Sequence, residues 1–165
     1  MERVGSAKER CISVAAGNEG NARHHYEGTI EDGTDVMEIN VAQEENGFVL
    51  EVWGEAPSVF AVGIESPIGG KIDRIPPRFE NIDRVELFLE GTKIEVYYKL
   101  IEEQSGNEVI LIRFTAPIAG IWKIIVYGSG TTNQIKRYNS WLPIRNFIQE
   151  ETYFLQPNPY TTIVS

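Results

Sequence analysis

Residues 48–53 read Phe-Val-Leu-Glu-Val-Trp, with the apolar residues Phe48, Leu50 and Val52 at every second position. Successive side chains of a β-strand point to opposite faces, so this alternation is typical of an antiparallel strand with one buried face. The dipeptide Asn46-Gly47 precedes the stretch, and residues of these types adopt the positive φ of a tight turn at little cost. The stretch therefore predicts one strand of a half-buried antiparallel sheet that begins at a turn.

The same alternation recurs on both sides of this stretch, at intervals of about ten residues. We predict eight short strands with no helix between them, a pattern that favours a two-sheet sandwich or jelly roll. Besides residues 48–53, they cover 37–41, 58–65, 84–90, 93–101, 108–115, 122–128 and 135–141. The predicted fold class is therefore mainly β, an antiparallel β-sandwich. A short helix is predicted at 144–151 and a last strand at 161–164.

The N-terminal residues have a different pattern. Residues 11–16 are a continuous run of small and apolar side chains bounded by turn residues. Such a run is typical of a strand that is buried on both faces, as in the parallel sheet of an α/β protein. Gly17, Asn18 and Gly20 follow at once, so we predict a sharp turn where this strand ends.

Residues 14–20, Val-Ala-Ala-Gly-Asn-Glu-Gly, resemble the segment around the oxyanion-hole asparagine of subtilisin-like (S8) serine proteases. The resemblance implies that Asn18 donates a hydrogen bond to the oxyanion formed during acyl transfer, which requires a preorganised donor. It also implies that Gly17 and Gly20 let the backbone turn sharply and lie close to the substrate. The alternative is that Asn18 only caps a turn.

The order of parts is similar to that of subtilases with a long β-rich insertion between the oxyanion asparagine and the catalytic serine. These include the clostridial germination proteases of the Csp type and related gut-bacterial enzymes, in which the insert is a jelly roll. The resemblance implies three parts: an α/β subtilase segment at 1–28, a jelly-roll insert at 29–141 and a return segment at 142–165. It implies two partners, the remainder of the parent protease and a peptide or protein substrate. A bacterial extracytoplasmic or spore-associated location is also implied.

The catalytic triad of subtilases runs Asp, His, Ser along the chain. Its motifs, Asp-Ser/Thr-Gly, His-Gly-Thr and Gly-Thr-Ser-Met/Ala, do not occur in this sequence, and neither His24 nor His25 precedes a glycine. We therefore expect a fragment of a serine endopeptidase that is inactive alone and has no cofactor. An inserted domain leaves and re-enters its host at nearly one place, so residues 28–30 and 141–144 are expected within roughly 15 Å of each other.

The composition argues against several classes of partner. The 165 residues carry 24 Asp+Glu against 15 Lys+Arg, a formal net charge of -9. This field repels phosphate backbones, so we expect no nucleic-acid partner. The longest apolar runs, such as 59–64, have the length of strands, so we expect no membrane span. The single cysteine, Cys11, cannot form an internal disulfide and is expected to be a buried, inert thiol.

A second class of function stays open, in which the sandwich binds carbohydrate or a protein partner. Such a module would expose a row of aromatic side chains on one sheet, whereas a structural insert would bury them. Trp122 lies in an alternating apolar run, which favours the core, and Tyr97 falls on the opposite face from Tyr98. The aromatic candidates for such a row are Trp53, Trp122, Trp141, Tyr97 and Tyr98.

Two polar clusters are candidates for a metal site. His24 and His25 are adjacent, so in extended chain their side chains point to opposite faces and cannot share one ion. We expect them to pack or hydrogen-bond at the domain junction. Residues 31–35 are acidic but lack the ligand spacing of a calcium loop, which favours a solvated linker. No metal ligand is predicted.

Overall fold

The computed structural model describes residues 19–77, 84–129 and 135–157. Several sequence predictions lie outside the described residues: the strands at 11–16 and 161–164, the burial of Cys11, and the site residues Gly17 and Asn18. In the described ranges, no helix is long and apolar enough to cross a membrane.

Eleven strands occur within the described residues, and eight of them correspond to the eight predicted strands. The other three (β1, β5 and β11) were not predicted. The strands are β1 (His25–Ile30), β2 (Thr34–Val41), β3 (Gly47–Gly54), β4 (Val59–Glu65), β5 (Lys71–Ile75), β6 (Arg84–Leu89), β7 (Thr92–Lys99), β8 (Glu108–Thr115), β9 (Gly120–Ser129), β10 (Lys136–Trp141) and β11 (Tyr153–Phe154).

The strands form two antiparallel sheets. The larger sheet has the order β1-β10-β3-β8-β7-β6, and the smaller sheet has the order β11-β2-β9-β4-β5. The pairing is nested, since β1 pairs with β10, β2 with β9 and β3 with β8. Nested antiparallel pairs that alternate between two sheets are the arrangement of a jelly-roll sandwich. The predicted antiparallel β-sandwich is therefore confirmed.

The helix predicted at 144–151 is wrong, because the structure has turns there. Asn146 has a φ of 78°, in the left-handed region that interrupts a right-handed helix. Pro143 precedes the segment and offers no amide hydrogen to a helix or a sheet ladder. The apolar side chains of Ile144 and Phe147 are both exposed, so this segment has no buried helical face.

The core lies between the two sheets and is made by the inward side of each alternating strand. Trp122 of β9 is fully buried, and its ring meets the Phe114 ring edge-on at 5.3 Å between centroids. Its indole Nε1 donates a hydrogen bond of 2.8 Å to the carbonyl oxygen of Ile118, so burial leaves no unpaired donor. The prediction that Trp122 belongs to the core is confirmed.

Two tyrosines of the larger sheet are bonded to the smaller one. The hydroxyls of Tyr26 and Tyr138 both donate to Oδ2 of Asp35, at 3.0 and 2.8 Å. Burial is the main reason that the pKa of each phenol is raised, so both remain donors at neutral pH. Gly28 is required beside this pair, because a Cβ there would lie 2.1 Å from the Tyr138 ring.

The chain enters and leaves the sandwich side by side. His25 at the start of β1 pairs with Trp141 at the end of β10, and the Leu142 amide donates to the His24 carbonyl at 2.9 Å. The chain therefore enters and leaves at residues 24–25 and 141–142, whereas the predicted entrance at residues 28–30 pairs with residues 136–138, farther along the same ladder. The expected separation between residues 28–30 and 141–144 stays a prediction. The three-part division stays a prediction: β1 begins before the predicted start at residue 29, and β11 places part of the return segment in the smaller sheet.

Candidate functional site at the junction turn

The turn formed by residues 19–24, here called the junction turn, leads from the predicted oxyanion motif into β1. The Ala22 amide donates to the Glu19 carbonyl at 2.8 Å, which closes the turn around Gly20 and Asn21. Arg23 has a φ of 60°, so the chain passes through a left-handed conformation before it becomes extended. Gly20, the described member of the three predicted site residues, is half-buried here.

The return segment holds the junction turn from the other side. The backbone amide of Arg145 donates to both carboxylate oxygens of Glu19, at 3.2 and 3.1 Å. The Arg145 guanidinium donates to the Asn21 side-chain oxygen at 2.9 Å. Farther along, the Phe154 amide donates to the Arg23 carbonyl at 3.0 Å. The six residues of the junction turn are thus hydrogen-bonded at several points to a segment that lies more than 100 residues later in the chain.

His24 lies behind this turn, and its side chain is only 9% exposed. Its Nδ1 is 3.9 Å from Oε2 of Glu19 and has no hydrogen bond within the described ranges. Burial is the largest effect and lowers the pKa of His24; the Glu19 carboxylate opposes this and the Arg145 cation adds to it. The imidazole is therefore neutral at neutral pH.

His25 has a different environment. Its ring stacks on the indole of Trp141 with 3.9 Å between centroids, and its Nε2 is 2.8 Å from the Asn139 side-chain oxygen. Burial again lowers the pKa of the imidazole. Both histidines are buried beside the start of β1, and His25 also has a hydrogen bond, which agrees with the expectation that they pack or hydrogen-bond. Across the parts of the chain that the structure describes, no three His, Cys, Asp or Glu side chains are grouped to hold a metal ion.

A groove of about 480 Å³ lies between the junction turn and the return segment. Arg23 and His24 line it from the turn, and Arg145 and Tyr153 line it from the return segment. The Arg23 guanidinium lies over the Tyr153 ring, 4.6 Å from its centroid. Such a cation–π contact is a further link between the two segments. The shape of the groove therefore depends on both segments remaining in contact.

The aromatic candidates do not form an exposed row. Trp122 and Tyr98 are buried, and Trp53, Tyr97 and Trp141 are half-buried. The Trp53 indole donates to Oε2 of Glu51 at 2.9 Å, which holds that ring in place. A flat platform for sugar rings would need exposed faces. The burial of these side chains fits a structural insert better than a carbohydrate-binding module.

The acidic segment 31–35 combines a solvated turn with one structural residue. Residues 31–34 are exposed, as expected of a linker, and Gly33 has a φ of 78°. Asp35 instead accepts hydrogen bonds from the two buried tyrosines of the larger sheet, which links β2 to that sheet. The sequence interpretation of the whole segment as a solvated linker is therefore corrected at Asp35.

Glu108 at the opposite end of the sandwich is a buried carboxyl group, 2% exposed. Its Oε2 accepts the Phe60 amide at 2.7 Å, while Oε1 has no hydrogen bond among the described residues. Burial raises the pKa of Glu108 to about 7, although the Phe60 amide acts in the opposite direction. The pKa of Tyr98 is also raised, mainly by burial and in addition by the Glu108 charge.

This raised pKa predicts a pH-dependent stability. The folded state holds the Glu108 proton between the ordinary pKa of 4.5 and about 7, so this contribution is full below the lower value and lost as pH rises through the upper one. We expect the free energy of unfolding to fall less between about pH 5 and pH 8 in Glu108→Gln than in the wild-type chain. Urea unfolding at about pH 5 and about pH 8 measures this free energy. An equal decrease in Glu108→Gln and in the wild-type chain contradicts the prediction.

Sequence reasoning identified Gly20 and the histidines but missed the partners of Glu19. Arg145 is 126 residues away in the chain, and nothing in its own sequence context signals that its backbone amide meets a carboxylate. The available signal was indirect: an inserted domain must return to its starting point, so the residues after β10 had to lie near the junction turn.

Comparison with solved structures gives a protease as a neighbour. The CspB protease of Clostridium perfringens is similar to this chain, with a TM-score of 0.74 and 28% sequence identity. The similarity covers 87% of this chain and 29% of that protease, so the chain spans less than a third of its length. No protein-family profile matches the sequence, and no curated protein matches it. The fold of the described residues is therefore similar to that of part of a Csp protease.

Proposed function

We propose that the chain is part of a subtilisin-like serine endopeptidase in which Asn18 stabilises the oxyanion and the β-sandwich is an accessory domain. The observation that carries the proposal is the likeness to the CspB protease over 87% of the chain. The Gly17-Asn18-Glu19-Gly20 motif agrees with it, since its last two residues begin the junction turn. The adjacent entrance and exit of the sandwich are those that an inserted domain requires.

In this proposal the chain contributes stabilisation of charge and not the nucleophile. Attack on a peptide carbonyl places negative charge on its oxygen, and a preorganised amide donor meets that charge without having to reorganise. The Asn18 side chain supplies such a donor, and the flanking glycines allow the backbone to approach the substrate. The acid, base and nucleophile of the triad come from the remainder of the parent protease. The sandwich stabilises or shapes the enzyme.

The test compares the full-length natural protein with the 165-residue chain. We expect the full-length protein to hydrolyse a peptide p-nitroanilide and to lose this activity on treatment with phenylmethylsulfonyl fluoride, which sulfonylates a serine nucleophile with release of fluoride. We expect the chain alone to release no p-nitroaniline, because it lacks the triad. Inhibitor-sensitive hydrolysis by the chain, or no hydrolysis by the full-length protein, contradicts the proposal.

A further inference from the structure

Glu19 has unusual partners for a surface turn. It directly follows Asn18, and its side chain is 20% exposed. Both of its carboxylate oxygens accept the same backbone amide, that of Arg145 in the return segment. A hydrogen bond from an amide to a charged acceptor is stronger than one between neutral groups. The residue next to the proposed oxyanion donor is therefore bonded to the first residues after the sandwich.

An oxyanion donor works only when its position is fixed. Functional groups must be held within about 0.5 Å of the productive geometry, and a displacement of about 1 Å can cost about 10²-fold in rate. The glycines on either side of Asn18 and Glu19 give this turn more conformational freedom than other residues would. A restraint from outside the turn is needed to hold such a segment in one conformation. The Glu19 carboxylate provides one.

We propose that Glu19 is a positioning residue whose bond to the Arg145 amide couples the sandwich to the oxyanion turn. This inference rests on the proposed function. The sandwich determines where Arg145 lies, because β10 ends at Trp141 and its ladder with β1 fixes the chain four residues earlier. The guanidinium of Arg145 extends the same link to Asn21. A change that displaces the Arg145 amide then displaces the oxyanion donor.

The chain offers a matched control in Glu45. Its Oε2 also accepts an amide of the return segment, that of Gln149, at 2.9 Å, and the Thr152 hydroxyl at 3.1 Å. Its other oxygen accepts the Gly47 amide at 3.1 Å. Glu45 therefore bonds the return segment by the same chemistry as Glu19, but from the turn before β3. Loss of either carboxylate frees return-segment amides, and only Glu19 adjoins Asn18.

The experiment uses the full-length protein with an uncharged peptide p-nitroanilide. We expect Glu19→Ala to lower kcat on the order of 10-fold with KM within about twofold, because a misplaced donor acts on the transition state. Glu19→Gln is expected to recover most of kcat, since its amide oxygen still accepts the Arg145 amide. Glu45→Ala is expected to lower the unfolding temperature and to leave kcat unchanged. Hydrogen exchange in the 165-residue chain should accelerate at residues 19–24 only in Glu19→Ala.

Asn18→Ala measured in parallel separates the possible failures. A loss of kcat in Asn18→Ala, with none in Glu19→Ala, overturns the positioning role and leaves the proposed function standing. Equal losses of kcat in Glu19→Ala and Glu45→Ala also overturn it, because they indicate general destabilisation. An unchanged kcat in Asn18→Ala overturns the proposed function itself. If Glu19→Ala does not fold, Glu19→Gln provides the test instead. An unchanged kcat in Glu19→Gln, together with faster hydrogen exchange at residues 19–24, then overturns the coupling.

Discussion

Asn18→Ala in the full-length protein is expected to lower kcat for peptide hydrolysis about 10²–10³-fold, the loss seen when subtilisin loses its oxyanion-hole asparagine. KM is expected to stay within about twofold, because the oxyanion exists fully only in the transition state. Steady-state kinetics on a peptide p-nitroanilide measures both constants. The informative result is a lower kcat with an unchanged KM, since a residue that only shapes the turn would alter substrate binding or stability.

Asn40→Ala is the matched control for this substitution. The Asn40 side chain also donates a hydrogen bond, at 2.6 Å, but to the Glu151 carbonyl at the edge of the smaller sheet. Its loss is expected to change the unfolding temperature slightly and to leave kcat unchanged. An Asn18→Ala protein with normal kcat, or with a defect confined to KM, would show that Asn18 only caps a turn.

Trp122→Ala is expected to cost about 3–5 kcal/mol of the free energy of unfolding, the range for removal of a fully buried aromatic side chain. The substitution removes the edge-on contact with Phe114 and leaves a cavity between the sheets. It also leaves the Ile118 carbonyl without the indole donor, which adds to the penalty. Urea unfolding of the 165-residue chain measures the loss through the shift of the midpoint at constant slope.

Trp53→Ala distinguishes a core role from a binding role for these aromatic side chains. Trp53 is half-buried on the outer side of β3, so its removal leaves no enclosed cavity, and we expect a cost of at most about 1 kcal/mol. Similar costs for both substitutions would show that Trp122 is not the packing centre. Binding of a soluble polysaccharide by the chain that Trp53→Ala abolishes would instead favour the carbohydrate-binding alternative.

The eight predicted strands came from local side-chain alternation, and the structure has a strand at each of these places. The pattern works because a strand between a core and solvent must place apolar residues on one face only. Two of the three strands that sequence reasoning missed, β5 and β11, lack this signal. β5 reads Lys-Ile-Asp-Arg-Ile and β11 has only two residues, so both depend on pairing with a neighbouring strand rather than on their own composition.

The candidate site likewise has features that the local sequence predicts and features that it does not. The motif at residues 14–20 is continuous in sequence, so the sequence itself determined which asparagine and which glycines to consider. The bonds of Glu19 to Arg145 and of Asp35 to Tyr138 join residues that are far apart in the chain. Such pairs leave no local pattern in the sequence, because the order of the strands in the sheets determines which residues meet.

The amino-acid sequence by itself determined the β class of the fold, the places of eight strands and the assignment of Trp122 to the core. These features depend on the period of apolar residues and on the chemistry of turns. Only the tertiary structure decided the nested strand order, the residues at which the chain enters and leaves the sandwich, and the carboxylate that bonds the junction turn to the return segment. The physical reason is that these contacts form between residues far apart in the chain, which meet only when both sheets close over a common core.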